Sequence, residues 1–430
     1  MNKKEELEKK LQGSNTETRL EALQELSDLI KKEELSRPRV RKNQVNNHIH
    51  TTFSFSPYSP TGAVWRAFRA GLATAGIMDH DSISGAPEFI RAGKILDFPV
   101  TIGLECRVDF SDTSLAGHRL NHPDQKSTAY MALHGVPHHK IETVQEFFTP
   151  YRRARKERSG RMTERLNDYF GEYDVDLDFE KDILPLSEYE NGGTVTERHL
   201  LYAVSERLIE SLGKGEGLLS ELEDKFGHLL SPQLRSYLED EKNPYYKYDL
   251  LGLLKKDTSY FYIPAQKECP PVKSVIELSE TAGAIPSYAY LGDIEKSVTG
   301  DKKKQKFEDD YLPQLLDVLL ELGFKAVAYM PTRNTKQQLT RLKKLCVKRD
   351  LFQISGEDIN SPRQSFVCDK LEDEEFSNLI DSTWALIGHE KMASRSIENG
   401  MFAPRTVKRY PDLEKRIQIY SELGSMGWDY

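Results

Sequence analysis

The hydrophobic positions from residue 45 onward follow two alternating spacings. Short apolar segments that suit β-strands are each followed by a stretch with apolar residues three or four positions apart, as on one face of a helix. Strands are predicted at residues 45–51, 74–78, 100–108, 284–289, 325–329 and 351–354, and helices at residues 61–70, 86–96, 275–281, 311–322 and 335–348. This rhythm is typical of βα units, in which consecutive strands run parallel.

Three other parts of the chain have a helical pattern without strands. Near the start, leucines at helical spacing follow Asn15 and Thr16, either of which can cap a helix. We predict an N-terminal helical extension at residues 1–44, a barrel-like domain at residues 45–370 with a helical cap insertion at about residues 137–260, and a C-terminal helical tail at residues 371–430. Whether the extension packs on the barrel stays open.

Candidate metal ligands stand at the ends of three successive predicted strands. His48 and His50 are two positions apart, so that an extended chain points both imidazoles to one side. The sequence DHD, centred on His80, ends the second strand, and Glu105 lies on the third. A histidine pair in one strand can be incidental, but the carboxyl ends of parallel barrel strands converge, and the coincidence at three of them favours a shared site.

Composition limits the class of protein. The chain of 430 residues is 38% hydrophobic and 30% charged, as in globular proteins. No apolar run reaches the roughly 18 to 20 residues that cross a bilayer, and the start, MNKKEELEKKLQG, is too charged for a secretory signal. We expect a cytoplasmic protein without membrane contact, and the net charge of −8 argues against duplex nucleic acid as a partner. A basic run at residues 152–165 is interpreted as a solvated helix face.

The candidate ligands are nitrogen and oxygen donors. The four cysteines are far apart in sequence and form no CxxC pair, which argues against a zinc ribbon or a disulfide framework. Histidine and carboxylate ligands without sulfur suit zinc, manganese or iron. Such an ion would acidify a bound water and offset the charge that develops on a phosphate. We therefore expect at least one divalent ion.

Three stretches, HIHTTFSFSPYSP, AGIMDHDSISGAPEF and GLECRV, resemble the opening motifs of the polymerase and histidinol phosphatase (PHP) family. The resemblance extends over about residues 45–362. It implies an α/β fold, a distorted seven-stranded β/α barrel of the TIM-like type, that binds up to three metal ions and hydrolyses phosphate monoesters or nucleotides.

The resemblance also implies a ligand set. His48, His50, Glu105 and Asp358 stand where the family places the ligands of one metal, and all four are present. The family's other ligand positions are less complete, and His80 is retained among them. Three positions depart from the family's pattern, since they carry Phe55, Tyr290 and Asn360 in place of acidic or histidine ligands. Of these, Asn360 stays a candidate metal ligand. We therefore predict one well-made metal site and two that are weakened or lost.

Other residues are candidates for substrate contact and for catalysis. By resemblance to the family's cap, Arg152, Arg198 and His199 become candidates for binding a substrate phosphate. His80 and Tyr290 are candidate catalytic acids or hydrogen-bond donors. Substitute metal ligands could come from donor-rich segments near the expected mouth: His118, His122, His134, His138, His139 and Glu142.

These observations favour a metal-dependent phosphoesterase that acts on a small phosphorylated metabolite or nucleotide. Two alternatives stay open. The three departures favour a catalytically degenerate metal- or phosphate-binding protein, whereas a hydrolase of the amidohydrolase kind could work with one metal ion. No polymerase segment follows the barrel in this sequence. The oligomeric state stays open.

Overall fold

A seven-stranded sheet forms the centre of the protein, whose computed structural model describes residues 3–294 and 305–427. The strands are adjacent in the order in which they occur along the chain. They are β1 (Val45–Ile49), β2 (Thr74–His80), β3 (Val100–Asp109), β4 (Thr128–His134), β5 (Ile285–Ala289), β6 (Ala326–Tyr329) and β7 (Phe352–Ser355).

The two edges of the sheet approach each other closely. The amide of His50, just after β1, donates to the carbonyl of Ile359, and the Ile359 amide donates to the carbonyl of His48, at 2.9 and 3.1 Å. The segment after β7 therefore bonds to the end of β1. The predicted fold class is confirmed: the protein is a mixed α/β barrel, nearly closed by seven strands and surrounded by helices.

Strand β4 departs from the predicted parallel rhythm. It runs antiparallel to both of its neighbours, with Glu105 of β3 opposite Ala132 and Leu133 opposite Pro286 of β5. The sequence analysis did not predict this strand. The reason is that no helix connects β3 to β4, so the helical half of a βα unit is missing at this point. The barrel is therefore parallel on either side of one reversed strand.

Fifteen α-helices accompany the strands in the described residues. They are α1 (Lys3–Lys10), α2 (Thr16–Lys31), α3 (Pro60–Arg69), α4 (Ala86–Leu96), α5 (Ile141–Phe170), α6 (Glu197–Leu212), α7 (Glu216–Phe226), α8 (Pro232–Glu239), α9 (Tyr246–Leu254), α10 (Val272–Ala282), α11 (Leu312–Leu322), α12 (Lys336–Val347), α13 (Ser377–Arg395), α14 (Pro404–Arg409) and α15 (Leu413–Ser425). Within the described ranges, no helix has the length and apolar character to span a membrane.

The N-terminal helices pack on the outside of the barrel. Asn15 caps α2 by accepting a hydrogen bond from the Thr18 amide at 2.9 Å. Arg19 of α2 forms a buried ion pair with Glu88 of α4, at 2.5 Å, and Thr61 of α3 donates to the same carboxylate. The extension is thus joined to the helices that cover β1 to β3. Residues 1 and 2 of the predicted extension lie outside the described residues.

Helices α5 to α9 stand between β4 and β5 and form a cap with its own hydrophobic cluster. Phe55, from the loop after β1, belongs to this cluster and contacts the ring of His199 edge to face at 5.0 Å. The cap is therefore held to the barrel by apolar contacts that begin next to the predicted ligands.

The C-terminal helices cover the end of the barrel opposite the predicted site. Glu390 of α13 is buried and accepts hydrogen bonds from Thr101 and from the amide of Ile102, at 2.6 and 2.8 Å, where β3 begins. Leu386 of the same helix joins the hydrophobic cluster of β5, β6 and β7. The tail is therefore part of the core. Residues 428–430, at its predicted end, lie outside the described residues.

Candidate metal centre

Five of the six predicted ligands, all except Asn360, converge where the carboxyl ends of β1, β2, β3 and β7 meet. His50 Nε2 lies 3.2 Å from Asp358 Oδ1, His80 Nδ1 lies 3.1 Å from Glu105 Oε2, and His48 Nε2 lies 3.8 Å from the same Glu105 oxygen. Their donor atoms form two groups, one of His48, His50 and Asp358 and one of His50, His80 and Glu105, and the atoms of each group lie within 4.8 Å of one another. We call these five side chains the ligand group.

The barrel geometry brings these side chains together. His80 of β2 pairs in register with Glu105 of β3, so that their side chains leave the sheet side by side. Asp358 reaches the group from the loop after β7, where Gly356 lies against His48. A Cβ at Gly356 would stand 2.6 Å from the Cβ of His48, so only glycine allows this approach.

Asp79 lies beneath the ligand group and positions His50. Its buried carboxylate accepts hydrogen bonds from the Thr51 amide and from the hydroxyls of Thr51 and Ser54, at 2.7, 2.6 and 2.6 Å. Because the Ser54 hydroxyl donates to Asp79, its oxygen accepts from His50 Nδ1 at 3.2 Å. The proton of His50 is thereby placed on Nδ1, and Nε2 keeps a lone pair directed at the ligand group.

The pKa shifts of His80 and Asp358 suit a cation, whereas that of His48 favours a proton, which a bound metal ion would displace. Burial lowers the pKa of His80 well below its usual value, so its imidazole is neutral. Burial alone would raise the pKa of Asp358, but His50 and His48 lower it well below its usual value, so it is ionised. Burial alone would lower the pKa of His48, but the Glu105 carboxylate raises it above its usual value. Neutral imidazole and ionised carboxylate are the forms that bind metals.

The lack of a hydrogen-bond partner at His80 Nδ1 bears on whether a metal ion fits the site. His80 Nδ1 is buried and, among the described residues, has no hydrogen-bond partner, although it lies 3.1 Å from Glu105 Oε2. A buried nitrogen that faces a carboxylate oxygen without bonding to it is suited to share a cation with that oxygen. The residues present therefore fit a divalent metal ion held by nitrogen and oxygen donors.

A cavity of about 100 Å³ opens above the ligand group. His50, His80 and Asn360 face it from the barrel, and Arg198 and Lys255 face it from the cap. Phe55, Tyr130 and Tyr262 add aromatic surface to its wall. A ligand in this cavity would contact the candidate metal centre and the cap at once.

Three arginines and three carboxylates form a buried network at the boundary of barrel and cap: Arg107, Arg155, Arg158, Asp81, Glu197 and Glu268. Glu197 is central, with the three guanidinium groups at 2.8, 3.1 and 2.6 Å. Burial alone would raise the pKa of Glu197, but the arginines lower it well below its usual value. The network is thus charged and internally balanced.

The basic run of α5 is only in part the solvated face that its sequence indicated, since Arg153, Arg161 and Arg165 are exposed but three other arginines are buried. Arg152, Arg155 and Arg158 are 8%, 1% and 2% exposed. Their spacing of three places them on one face of the helix, which turns towards the barrel and its carboxylates. Arg155, for instance, bonds Asp81 of the barrel at 2.6 Å. The spacing of three was the signal in the sequence that these arginines share one face. Their acidic partners could not be recognised, because they are far from α5 in the sequence.

Of the predicted substrate-binding residues, Arg198 lines the cavity and the other two do not. Arg152 donates to the backbone carbonyls of Gly192 and Gly193. His199 lies at the start of α6, where its Nδ1 accepts from the Thr196 amide at 3.0 Å, and burial lowers its pKa to about 3. Both side chains hold loops and helix ends in place.

The positions that depart from the predicted ligand pattern have distinct surroundings. Phe55 packs in the hydrophobic cluster of the cap. Asn360 lines the cavity and donates to Asp358 Oδ1 at 2.6 Å. The structure does not bring Tyr290 to the ligand group, because its hydroxyl donates to Asp309 at 2.6 Å and it is not part of the cavity wall.

None of the predicted substitute ligands joins a metal-binding group within the described ranges. His122 Nδ1 accepts from the amides of Asp124 and Gln125, at 3.2 and 3.1 Å. His138 Nε2 lies 3.0 Å from Glu390 near the opposite end of the barrel. The others, His118, His134, His139 and Glu142, likewise stand outside the two groups of candidate ligands.

Comparison with known proteins gives a likeness of structure. The fold resembles that of a protein from Bifidobacterium adolescentis whose name suggests a metal-dependent phosphoesterase, with a TM-score of 0.51 and 20% identity, over 78% of this chain and 96% of the other. This likeness shows the fold. An amidohydrolase from Chromobacterium violaceum, with bound sulfate and no metal, has a TM-score of 0.47 and 15% identity over 74% of this chain and 88% of its own. No family model and no curated protein matches the sequence.

Proposed function

We propose that the protein is a metal-dependent phosphoesterase that hydrolyses a small phosphorylated metabolite or nucleotide. The observation that carries the proposal is the convergence of five side chains with nitrogen and oxygen donors beside a cavity that His50 and His80 line together with Arg198 of the cap. A divalent ion supplies acidity to a bound water and offsets charge on the phosphoryl oxygens. Arginine supplies paired donors for the same oxygens.

The ligands divide into roles by their contacts. His48, His50 and Asp358 would hold a metal at the β1 and β7 side of the centre, and His80 with Glu105 would hold it, or a second ion, at the β2 and β3 side. The neutral state of His80 favours a ligand role over that of a general acid. Asn360 would orient Asp358 through its amide.

The test is hydrolysis of p-nitrophenyl phosphate by protein that is stripped with a chelator and then given manganese, zinc or iron(II). We expect metal-dependent release of p-nitrophenol and a loss of about a hundredfold or more in kcat/KM for Asp358→Asn. His139→Ala removes an exposed histidine outside the centre and should retain activity. No hydrolysis with any of the metals would contradict the proposal.

A second candidate is a metal- or phosphate-binding protein without catalysis. It is favoured by the placement of Phe55 in the cap cluster and of the Tyr290 hydroxyl on Asp309, because neither position offers a ligand for a further ion. In that case the wild-type protein would bind metal and inorganic phosphate in stoichiometric amounts and leave the ester intact.

A further inference from the structure

The loop after β7, at residues 356–364, is held to both the barrel and the cap, and we call it the ligand loop because it carries Asp358. On the barrel side, Ile359 exchanges backbone hydrogen bonds with the end of β1. On the cap side, the guanidinium of Arg363 donates to both carboxylate oxygens of Asp249 in α9, at 2.6 and 2.7 Å. The cap therefore bonds directly to the segment that supplies a predicted metal ligand.

The cap presents Asp249 in a setting that suits a guanidinium group. The Asp249 side chain is 6% exposed and accepts from the side-chain nitrogen of Asn243 at 2.7 Å, while the side-chain oxygen of Asn243 accepts from Arg363 at 3.1 Å. The Tyr237 ring lies against the guanidinium, with 3.5 Å between the ring centroid and the central carbon. Paired hydrogen bonds and a stacked ring fix an arginine in one orientation, which a lysine would not reproduce.

Gln364 connects the position of Arg363 to the predicted ligand. The side-chain nitrogen of Gln364 donates to the carbonyl of Asp358 at 2.6 Å, and its side-chain oxygen accepts from the Asn360 amide at 2.8 Å. Asn360 in turn donates to Asp358 Oδ1 at 2.6 Å. A shift of the chain at Arg363 would therefore move both the backbone and the carboxylate of Asp358 through the neighbouring Gln364.

The hydrogen bonds within the ligand loop are weak anchors by themselves. Gln364 is exposed, so water competes for its hydrogen bonds, and the structure, which describes all of residues 356–364, places no helix or strand there. The Arg363 pair is more sheltered, because its carboxylate is buried in the cap. Loss of the guanidinium would leave Asp249 buried without its cationic partner, which favours separation of the cap from the loop.

We propose that Arg363 is a positioning residue for the metal centre, and that its bond to Asp249 makes the metal affinity depend on whether the cap is packed on the ligand loop. With the bond in place, Asp358 Oδ1 is held 3.2 Å from His50 Nε2. With the bond broken, the loop relaxes and Asp358 leaves the ligand group. The inference rests on the metal centre of the proposed function, but not on the hydrolysis of a phosphate ester.

Competition with a chromogenic chelator measures the metal affinity of variants on both sides of the bond. Arg363→Gln and Asp249→Asn should each bind zinc about tenfold more weakly, because an outer contact that orients a ligand is lost. The double variant should bind zinc no more weakly than either single variant, since both remove the same interaction. Arg363→Lys keeps the charge without the paired donors and should recover only part of the affinity.

A second ion pair of the cap provides the matched control. Arg235→Gln breaks the pair of Arg235 with Glu223, at 2.6 Å, which has no bond to the ligand loop, and should bind zinc as the wild type does. Circular dichroism should show the wild-type fold in every variant.

Hydrogen exchange followed by mass spectrometry tests the coupling from the opposite direction. Because coupling between two sites is reciprocal, bound zinc should favour the packed cap. Zinc should therefore slow exchange at residues 232–254 in the wild type, and Arg363→Gln should lose this protection. A contact that only stabilised the fold would leave the effect of zinc on exchange unchanged in the variant.

The outcomes separate this inference from the proposed function. Unchanged zinc affinity in Arg363→Gln and Asp249→Asn would overturn the inference, even if their unfolding free energies fell, because the pair would then stabilise the fold alone. If the wild type binds no zinc, manganese or iron, the inference fails together with the proposed function. If zinc affinity depends on Arg363 but no ester is hydrolysed, the positioning role stands and the proposed hydrolysis fails.

Discussion

Ser54 decides which nitrogen of His50 faces the ligand group. Its hydroxyl donates to Asp79 at 2.6 Å and accepts from His50 Nδ1 at 3.2 Å. Ser54 does not contact His50 Nε2, the nitrogen that faces the ligand group, yet it fixes the tautomer of the His50 side chain. Such outer contacts tune metal affinity in proteins.

Replacing Ser54 with alanine should therefore weaken metal binding. We expect about a 10- to 100-fold loss of affinity, because the His50 ring is freed to rotate and to change tautomer. Competition with a chromogenic chelator measures the change. Ser56→Ala removes another buried serine of the same loop, whose hydroxyl accepts from the Tyr58 amide, and should leave the affinity unchanged. Equal affinities for both variants would contradict the role of Ser54.

Residues of the ligand group could be predicted from the sequence because they occur in short motifs at strand ends. Lys255 could not, since nothing in its neighbourhood distinguishes it from the many other lysines of the cap. Glu197 was likewise missed, because its partners Arg107 and Arg158 are far away in sequence. Contacts of this kind depend on how the cap folds onto the barrel.

Helices α5 and α6 are joined to the barrel through Glu197. It is the first residue of α6 and bonds Arg155 and Arg158 of α5 as well as Arg107 of β3. Removing one member of a buried ion network leaves its partners charged and unpaired, which is more costly than removing the whole network.

Glu197→Gln should therefore destabilise the protein by about 3 kcal/mol. Urea unfolding, followed by circular dichroism, measures the loss. Glu180→Gln breaks the exposed ion pair with Lys156 and should leave the stability almost unchanged, because water screens such pairs. If Glu197→Gln is as stable as Glu180→Gln, the network does not hold the cap.

Among the elements, helices were predicted more closely than strand direction. Helix α4 was predicted with the bounds that the structure has, since its apolar spacing is regular and it ends at Asp97 in a left-handed conformation. Strand β4, with the sequence TAYMALH, was missed because no helix precedes it: a loop connects it to β3 in place of the helical half of a βα unit. Its antiparallel direction follows from the loop that returns the chain beside β3, which residue patterns do not specify.

The molecule as a whole buries several histidines in neutral form. Burial lowers the pKa of His122 to about 2, of His134 to about 3, and of His389 to about 4. These pKa values lie below the value of 6.5 in the unfolded chain. At pH values between the folded and the unfolded pKa, the folded state therefore binds fewer protons than the unfolded state. Their contribution to stability is therefore complete above pH 6.5 and is lost as the pH falls.

His389 allows one such contribution to be isolated. Its Nδ1 accepts from the Met401 amide at 2.9 Å, a bond that an asparagine carbonyl could replace. In His389→Asn, the fall in unfolding free energy between pH 7 and pH 5 should be smaller than in the wild type by about 2 kcal/mol. Urea unfolding at both pH values gives the difference. An equal fall in the variant and the wild type would mean that folding does not lower the pKa of His389.

Metal content of the purified protein is the most direct test of the metal centre. Elemental analysis without chelators should find at least one divalent ion per chain in the wild type and in His139→Ala, whose histidine is exposed and outside the ligand group. The double variant His50→Ala/Asp358→Ala should retain its fold by circular dichroism and lose the ion. Equal metal content in the double variant and the wild type, or no metal in the wild type after manganese, zinc or iron is supplied, would contradict the account.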